Sequence, residues 1–152
     1  MKILGLDIDS KKFGAVVFTD KKYTAYYFVI SKKKETQERI FDLQCQFEKL
    51  IRSVKPDIII IEDAIYAQNF KTSKFLSESI GNCKLTCKLL NIPFVLVSNK
   101  TWKKEIVGNG GSTKEDIRNF CISKDKIFTT LEQDVCDSYC IALYGVKIKE
   151  GK

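Results

Sequence analysis

From Lys2 to Ile8 the chain is apolar on both alternating faces, with Leu4, Leu6 and Ile8 on one and Ile3 and Gly5 on the other, and a single acid, Asp7, falls on the second face. A segment of this kind is a strand buried on both sides, where an unpaired carboxylate is expensive. Residues 2–9, 13–19 and 23–30 read as three strands, joined by short turns at Lys11-Lys12 and Lys21-Lys22 into an antiparallel meander. From about Lys34 to Val54 the apolar residues Ile40, Leu43, Phe47, Leu50, Ile51 and Val54 recur at helical spacing, and Pro56 closes the element. DIIII at 57–61 is then a fully buried strand.

Leu76, Ile80, Cys83, Cys87 and Leu90 mark one face of a long helix, from about Lys71 to Leu90, that stops before Pro93. Phe75, Ser79, Ile80, Leu85 and Leu89 give this helix more apolar and small residues than one buried face requires. PFVLV follows as another buried strand. A short segment near 99–106 leads into VGNGGSTKED, where Ser112 and Glu115 offer a capping box for a helix through about Ile122. Thr130 with Gln133 offers the same start to a last helix reaching about Lys147. The order of three strands, helix, strand, helix, strand and helices predicts an α/β fold: a five-stranded mixed sheet with helices on both faces, as one domain over residues 1–152.

Composition narrows the class. With 44% apolar and 30% charged residues the chain is a globular domain with a sizeable core. The longest apolar run, IIII at 58–61, is far too short to span a bilayer, and no signal-like segment opens the chain, so the expectation is a cytoplasmic protein with no membrane contact. Six cysteines then read as reduced thiols. The pairs Cys83/Cys87 and Cys136/Cys140 have a spacing that suits core positions on helices better than zinc knuckles, and there is no histidine to complete a mixed site. Net charge is +7, and of the 26 basic residues only Arg39, Arg52 and Arg118 are arginine. A lysine surplus suits phosphate contacts better than the reading of base edges, which points to a polyanion recognised by shape, or else to a solvated basic surface.

Against that basic background four acids stand out. Glu62 closes the IIII strand as Asp7 sits in the first, so neighbouring parallel strands would set the two carboxylates side by side. QDVCD places Asp134 and Asp137 three residues apart, on the same face of the last helix. Carboxylates forced together and desolvated repel unless a cation sits among them, and oxygen-only ligands select Mg²⁺ or Mn²⁺. Two such ions per subunit would serve an in-line phosphoryl displacement by water.

The segments ILGLDIDS with FGAVVF, IIIIEDAIYAQNFKTSKFLSESIG, VGNGGSTKEDI and QDVCDSYCIALYG, taken together and in this order, resemble the RuvC-type Holliday junction resolvases of the RNase H-like, retroviral-integrase superfamily. The compact, lysine-heavy, histidine-free chain resembles the phage-encoded branch, which would place it in a host cytoplasm. The resemblance implies a homodimer that cuts four-way DNA junctions symmetrically, with Asp7, Glu62, Asp134 and Asp137 as metal ligands. It also puts Lys114 near the scissile phosphate and makes Lys103 a DNA contact; Tyr66, Lys71 and Lys74 are further candidates for touching DNA. Two positions depart from the family pattern. DIDS stands where DPGS is usual, which adds Asp9 and removes a Pro-Gly turn. Ile65, followed by Tyr66, occupies the place of an aromatic wedge.

The reading is therefore a metal-dependent, structure-selective endonuclease acting on four-way and other branched DNA. An RNA-processing nuclease of the same fold and a catalytically inactive nucleic-acid-binding protein are the alternatives.

Overall fold

The computed structural model describes residues 1–64 and 69–151. Ile65 and Tyr66, the positions considered for a wedge and a DNA contact, lie outside the described residues.

Strands β1 (Lys2–Ile8), β2 (Lys12–Thr19) and β3 (Lys22–Val29) form the meander expected from their alternation. Helix α1 (Thr36–Val54) follows, and Lys55, in the left-handed region at φ 53°, turns the chain ahead of Pro56. Then come β4 (Ile58–Glu62), α2 (Phe70–Leu89) and β5 (Phe94–Val97). A short helix α3 (Asn99–Trp102) runs into a π-helical turn over Lys103–Val107, and α4 (Lys114–Lys124), a 3₁₀ turn (Lys126–Thr129) and α5 (Gln133–Lys149) complete the chain. The strand order is β3-β2-β1-β4-β5. The first three strands pair antiparallel, while β1–β4 and β4–β5 are parallel through the two helical crossovers.

Helices cover both faces of the sheet. On one, α1 and α2 bury Leu43, Phe47, Ile51, Cys83 and Cys87 against Leu4, Leu6, Phe13, Ile59 and Ile61. On the other, α3, α4 and α5 bury Trp102, Ile117, Cys121, Cys136 and Ile141 against Ile3, Val16, Phe18, Ile58 and Ile60. The central strands contribute to both layers by alternation, as continuous apolar runs in a parallel region do.

Two details differ from the expected pattern. The capping box of α4 is one residue further on: Thr113 caps the helix, its hydroxyl accepting from the Asp116 amide at 3.1 Å while the Asp116 carboxylate accepts from the Thr113 amide at 2.8 Å. Ser112 is buried and donates to the Asn109 carbonyl, closing the glycine turn instead. Thr130 does not cap α5, which starts after Glu132 without a side-chain cap; the Thr130 hydroxyl donates back to Ile127 and ends the 3₁₀ turn. Of the surplus apolar residues on α2, Phe75, Ser79 and Ile80 are buried within this chain, whereas Leu85 and Leu89 stand 59% and 73% exposed.

Candidate active site

Sheet register brings the first two acids together. Leu6 pairs with Ile61 in the parallel β1–β4 ladder, so the residues that follow, Asp7 and Glu62, reach the same level at the C-terminal end of the two strands. On its other side Asp7 faces Gly14 of β2. A Cβ at Gly14 would collide with the backbone carbonyl of Asp134, and one at Gly5 with the backbone of Ser138 and Ala142. The two bare strand positions let the first turns of α5 lie directly on the sheet. That contact sets Asp134 and Asp137 over Asp7.

The electrostatics record this proximity. Asp7 is 9% exposed, and burial pushes its carboxyl well above the ordinary range, with the charges of Glu62, Asp137, Asp134 and Asp9 adding to the effect. Asp137 is pushed up to about 6, first by burial and then by Glu62 and Asp134, against a 2.9 Å hydrogen bond from Gln133 and the charge of Lys103. Burial also raises Glu62, opposed by hydrogen bonds from Trp102 and Asn99 and by Lys103. Asp134 is 8% exposed, and the Lys12 ammonium lies 3.1 Å from its Oδ2. That oxygen is buried and accepts no well-formed hydrogen bond among the described residues.

Three residues that sequence reasoning missed support Glu62 and Asp134. The Trp102 indole donates to Glu62 Oε2 at 2.5 Å, and the Asn99 amide donates to the same oxygen at 3.2 Å. Both come from α3, which Ser98 caps by accepting from the Thr101 amide, so a short helix after β5 holds one oxygen of Glu62. Lys12 is the third. The only trace of Trp102 in the sequence is a lone tryptophan set among lysines.

The basic candidates divide. Lys103, half-buried at the start of the π-helical turn, is close enough to lower both Glu62 and Asp137. Lys114 stands exposed at the first position of α4 and is not among the principal charges acting on the acids. Lys71 and Lys74 are exposed on the first turns of α2, with Lys74 3.9 Å from Glu78. Asp9 keeps the β1–β2 turn tight without Pro-Gly: its amide donates to the Lys12 carbonyl at 2.9 Å and its carboxylate accepts from the Ser10 amide at 2.6 Å. All six cysteines are free; Cys45 is exposed and the other five are buried.

These carboxylates suit a hard divalent cation. Among the described residues no three acid, cysteine or histidine side chains close around one point as they stand. The fit rests on the donor set instead: oxygen only, mutually repelling, with two acids pushed well toward protonation and a buried Asp134 oxygen already drawing a cation, the Lys12 ammonium.

A mixed five-stranded sheet with acids at the ends of two parallel neighbours and on a helix laid across them defines a metal-dependent nuclease of the RNase H-like class. The sequence profile of the crossover junction endodeoxyribonuclease RuvC family matches residues 3–144, and the chain belongs to that family. It is 29% identical to the crossover junction endodeoxyribonuclease RuvC of Brachyspira hyodysenteriae, in an alignment covering 94% of this chain and 92% of that protein. Its fold matches Thermus thermophilus RuvC in complex with a Holliday junction substrate, with a TM-score of 0.80 at 16% identity over 99% of this chain and 96% of that one. It also matches the fowlpox virus resolvase in complex with substrate Holliday junction DNA, with a TM-score of 0.61 at 16% identity over 98% and 99%.

Proposed function

We propose that this endonuclease resolves four-way DNA junctions by paired phosphodiester hydrolysis, with Asp7, Glu62, Asp134 and Asp137 holding two Mg²⁺ or Mn²⁺ ions in each subunit of a homodimer. The observation that carries the reading is the four-acid cluster at the junction of β1, β4 and α5, where burial and like charge together hold Asp7 and Asp137 far from their ordinary ionisation. Such a cluster stores repulsion that a bound cation relieves. When bound, the ions lower the pKa of a water and offset charge on the leaving oxygen. Asp7, between β4 and α5, would be the central ligand of the set, and Trp102 and Asn99 fix the direction of Glu62. Lys114 supplies positive charge at the reacting phosphate, and Lys103, whose charge already acts on Glu62 and Asp137, contacts the DNA with Lys71 and Lys74.

A junction needs two cuts related by its two-fold symmetry, which a dimer with one site per subunit supplies. The exposed Leu85 and Leu89 of α2 are the contact surface in this proposal. No helix among the described residues is long and apolar enough to cross a membrane, and the reading places the protein in the cytoplasm with its DNA.

Cleavage of four-way, three-way, linear duplex and RNA substrates in Mg²⁺ tests the assignment. Preferential paired nicking of the four-way substrate is expected. Equal cleavage of structured RNA would move the protein to RNA processing, and binding without cleavage in either metal would make it a binding protein. Sedimentation at micromolar protein should show a dimer, and a monomer that makes both cuts in one encounter would overturn that part.

A further inference from the structure

The four acids are not equivalent. Asp7, Glu62 and Asp137 have no lysine or arginine in ion-pair contact among the described residues, whereas Asp134 has Lys12 at 3.1 Å. The contact follows from strand parity. Phe13 and Ala15 point into the α1/α2 layer and Val16 into the α5 layer, so Lys12, sharing the parity of Gly14 and Val16, reaches toward α5. Gly14 itself allows the Asp134 backbone to settle onto β2, within reach of Lys12. The Lys12 side chain is 33% exposed and the Asp134 side chain 11%, so the ammonium closes the site from its solvent edge. Glu132 before α5 and Tyr27 on β3 are the other titratable groups facing it.

We propose that Lys12 is a tethered counterion that competes with a divalent cation for Asp134. The inference rests on the reading of the four acids as a metal centre. An ion entering among Asp7, Glu62 and Asp137 meets no resident cation in contact, whereas an ion that engages Asp134 must displace the ammonium. Lys12 is the close partner of Asp134 Oδ2 among the described residues, so the exchange trades one cation for another, and the freed ammonium, already 33% exposed, can be hydrated. Divalent binding therefore occurs in two unequal steps, the weaker being the one that Lys12 opposes. The displaced ammonium, at the solvent edge of the site, is then available to a DNA phosphate.

Mn²⁺ titration followed by the electron paramagnetic resonance signal of the free ion tests this without reference to cleavage. Lys12→Met and Lys12→Gln should both tighten the weaker step by about tenfold, the scale of one charge removed at a partly exposed contact. Lys12→Arg, which keeps the charge, should bind Mn²⁺ as the wild type does. Lys11→Met, which removes a neighbouring charge on the turn, should also leave the isotherm unchanged. The rise in unfolding temperature on adding Mn²⁺ should be larger in Lys12→Met than in the wild type. An unchanged isotherm in both neutral variants, with Mn²⁺ still bound, would overturn the role of Lys12 and leave the metal centre standing. No Mn²⁺ binding by any of the proteins would overturn both.

Discussion

On the α1/α2 side of the sheet, Phe47, Ile51, Cys83 and Cys87 meet Leu4, Leu6 and Ile61 in a mainly apolar layer, whose polar contacts, such as that of Gln44 with Thr86, lie between the two helices and carry no acid. On the α5 side, the helix lies so close that Gly5 and Gly14 must lack side chains, and its first turns carry Asp134 and Asp137 onto Asp7. One face anchors the sheet in which β1 lies beside β4. The other uses that rigid platform to force like charges together, a stress only a well-packed scaffold can sustain. Both faces carry apolar core, but the acids are drawn from the α5 side alone.

Substitutions that respect this division should separate stability from cleavage. The largest effect is expected from Gly14→Val, whose side chain would push α5 off the sheet. Cleavage should fall by about a hundredfold or more, since an ångström of displacement between acids is enough for that, and the fold should weaken as well. Phe47→Ala acts on the other face. It should cost about 3–5 kcal/mol in denaturant melts while leaving the cleavage rate of the folded fraction near the wild-type value. A large activity loss in folded Phe47→Ala would show that the faces are coupled.

Trp102→Phe keeps most of the buried volume and removes the indole N–H from Glu62. Metal affinity read by titration should drop by about ten- to a hundredfold, as for other groups that orient a metal ligand. The most gradual effect is on stability. Asp137 takes up its proton more readily in the folded protein, at about 6 against an ordinary 3.8, so the folded state binds the proton more tightly than the unfolded chain. Stability from this group therefore falls as pH rises from near 4 to near 6 and is level above. Asp137→Asn, uncharged throughout, should gain about 3 kcal/mol over the wild type across that window in metal-free melts, at about 1.4 kcal/mol per pH unit. Saturating Mg²⁺ should cancel the gain by stabilising only the wild type.

Most of the fold was legible because periodicity carries it. The meander, the two crossovers and the strand IIII are written in alternation and helical spacing, and the site acids could be seen because each follows or opens an apolar run. What could not be seen depends on contacts between distant segments. The Trp102 and Asn99 bonds to Glu62 join residues 40 and 37 positions apart, and the Lys12–Asp134 pair joins β2 to α5. No local pattern encodes them. The α4 cap slipped by one residue because Ser112 and Thr113 both suit the role, and the deciding factor was the buried bond from Ser112 to Asn109.

If the acids on the α5 face form one metal centre that cuts junctions, Asp7, on which the charges of Glu62, Asp137 and Asp134 all act, is its most direct probe. Asp7→Asn keeps the shape of the side chain and removes its charge. Measured side by side on one labelled four-way junction in Mg²⁺, this variant should bind at least as tightly as the wild type and leave every strand uncut. Cleavage at the wild-type rate by Asp7→Asn would contradict the account.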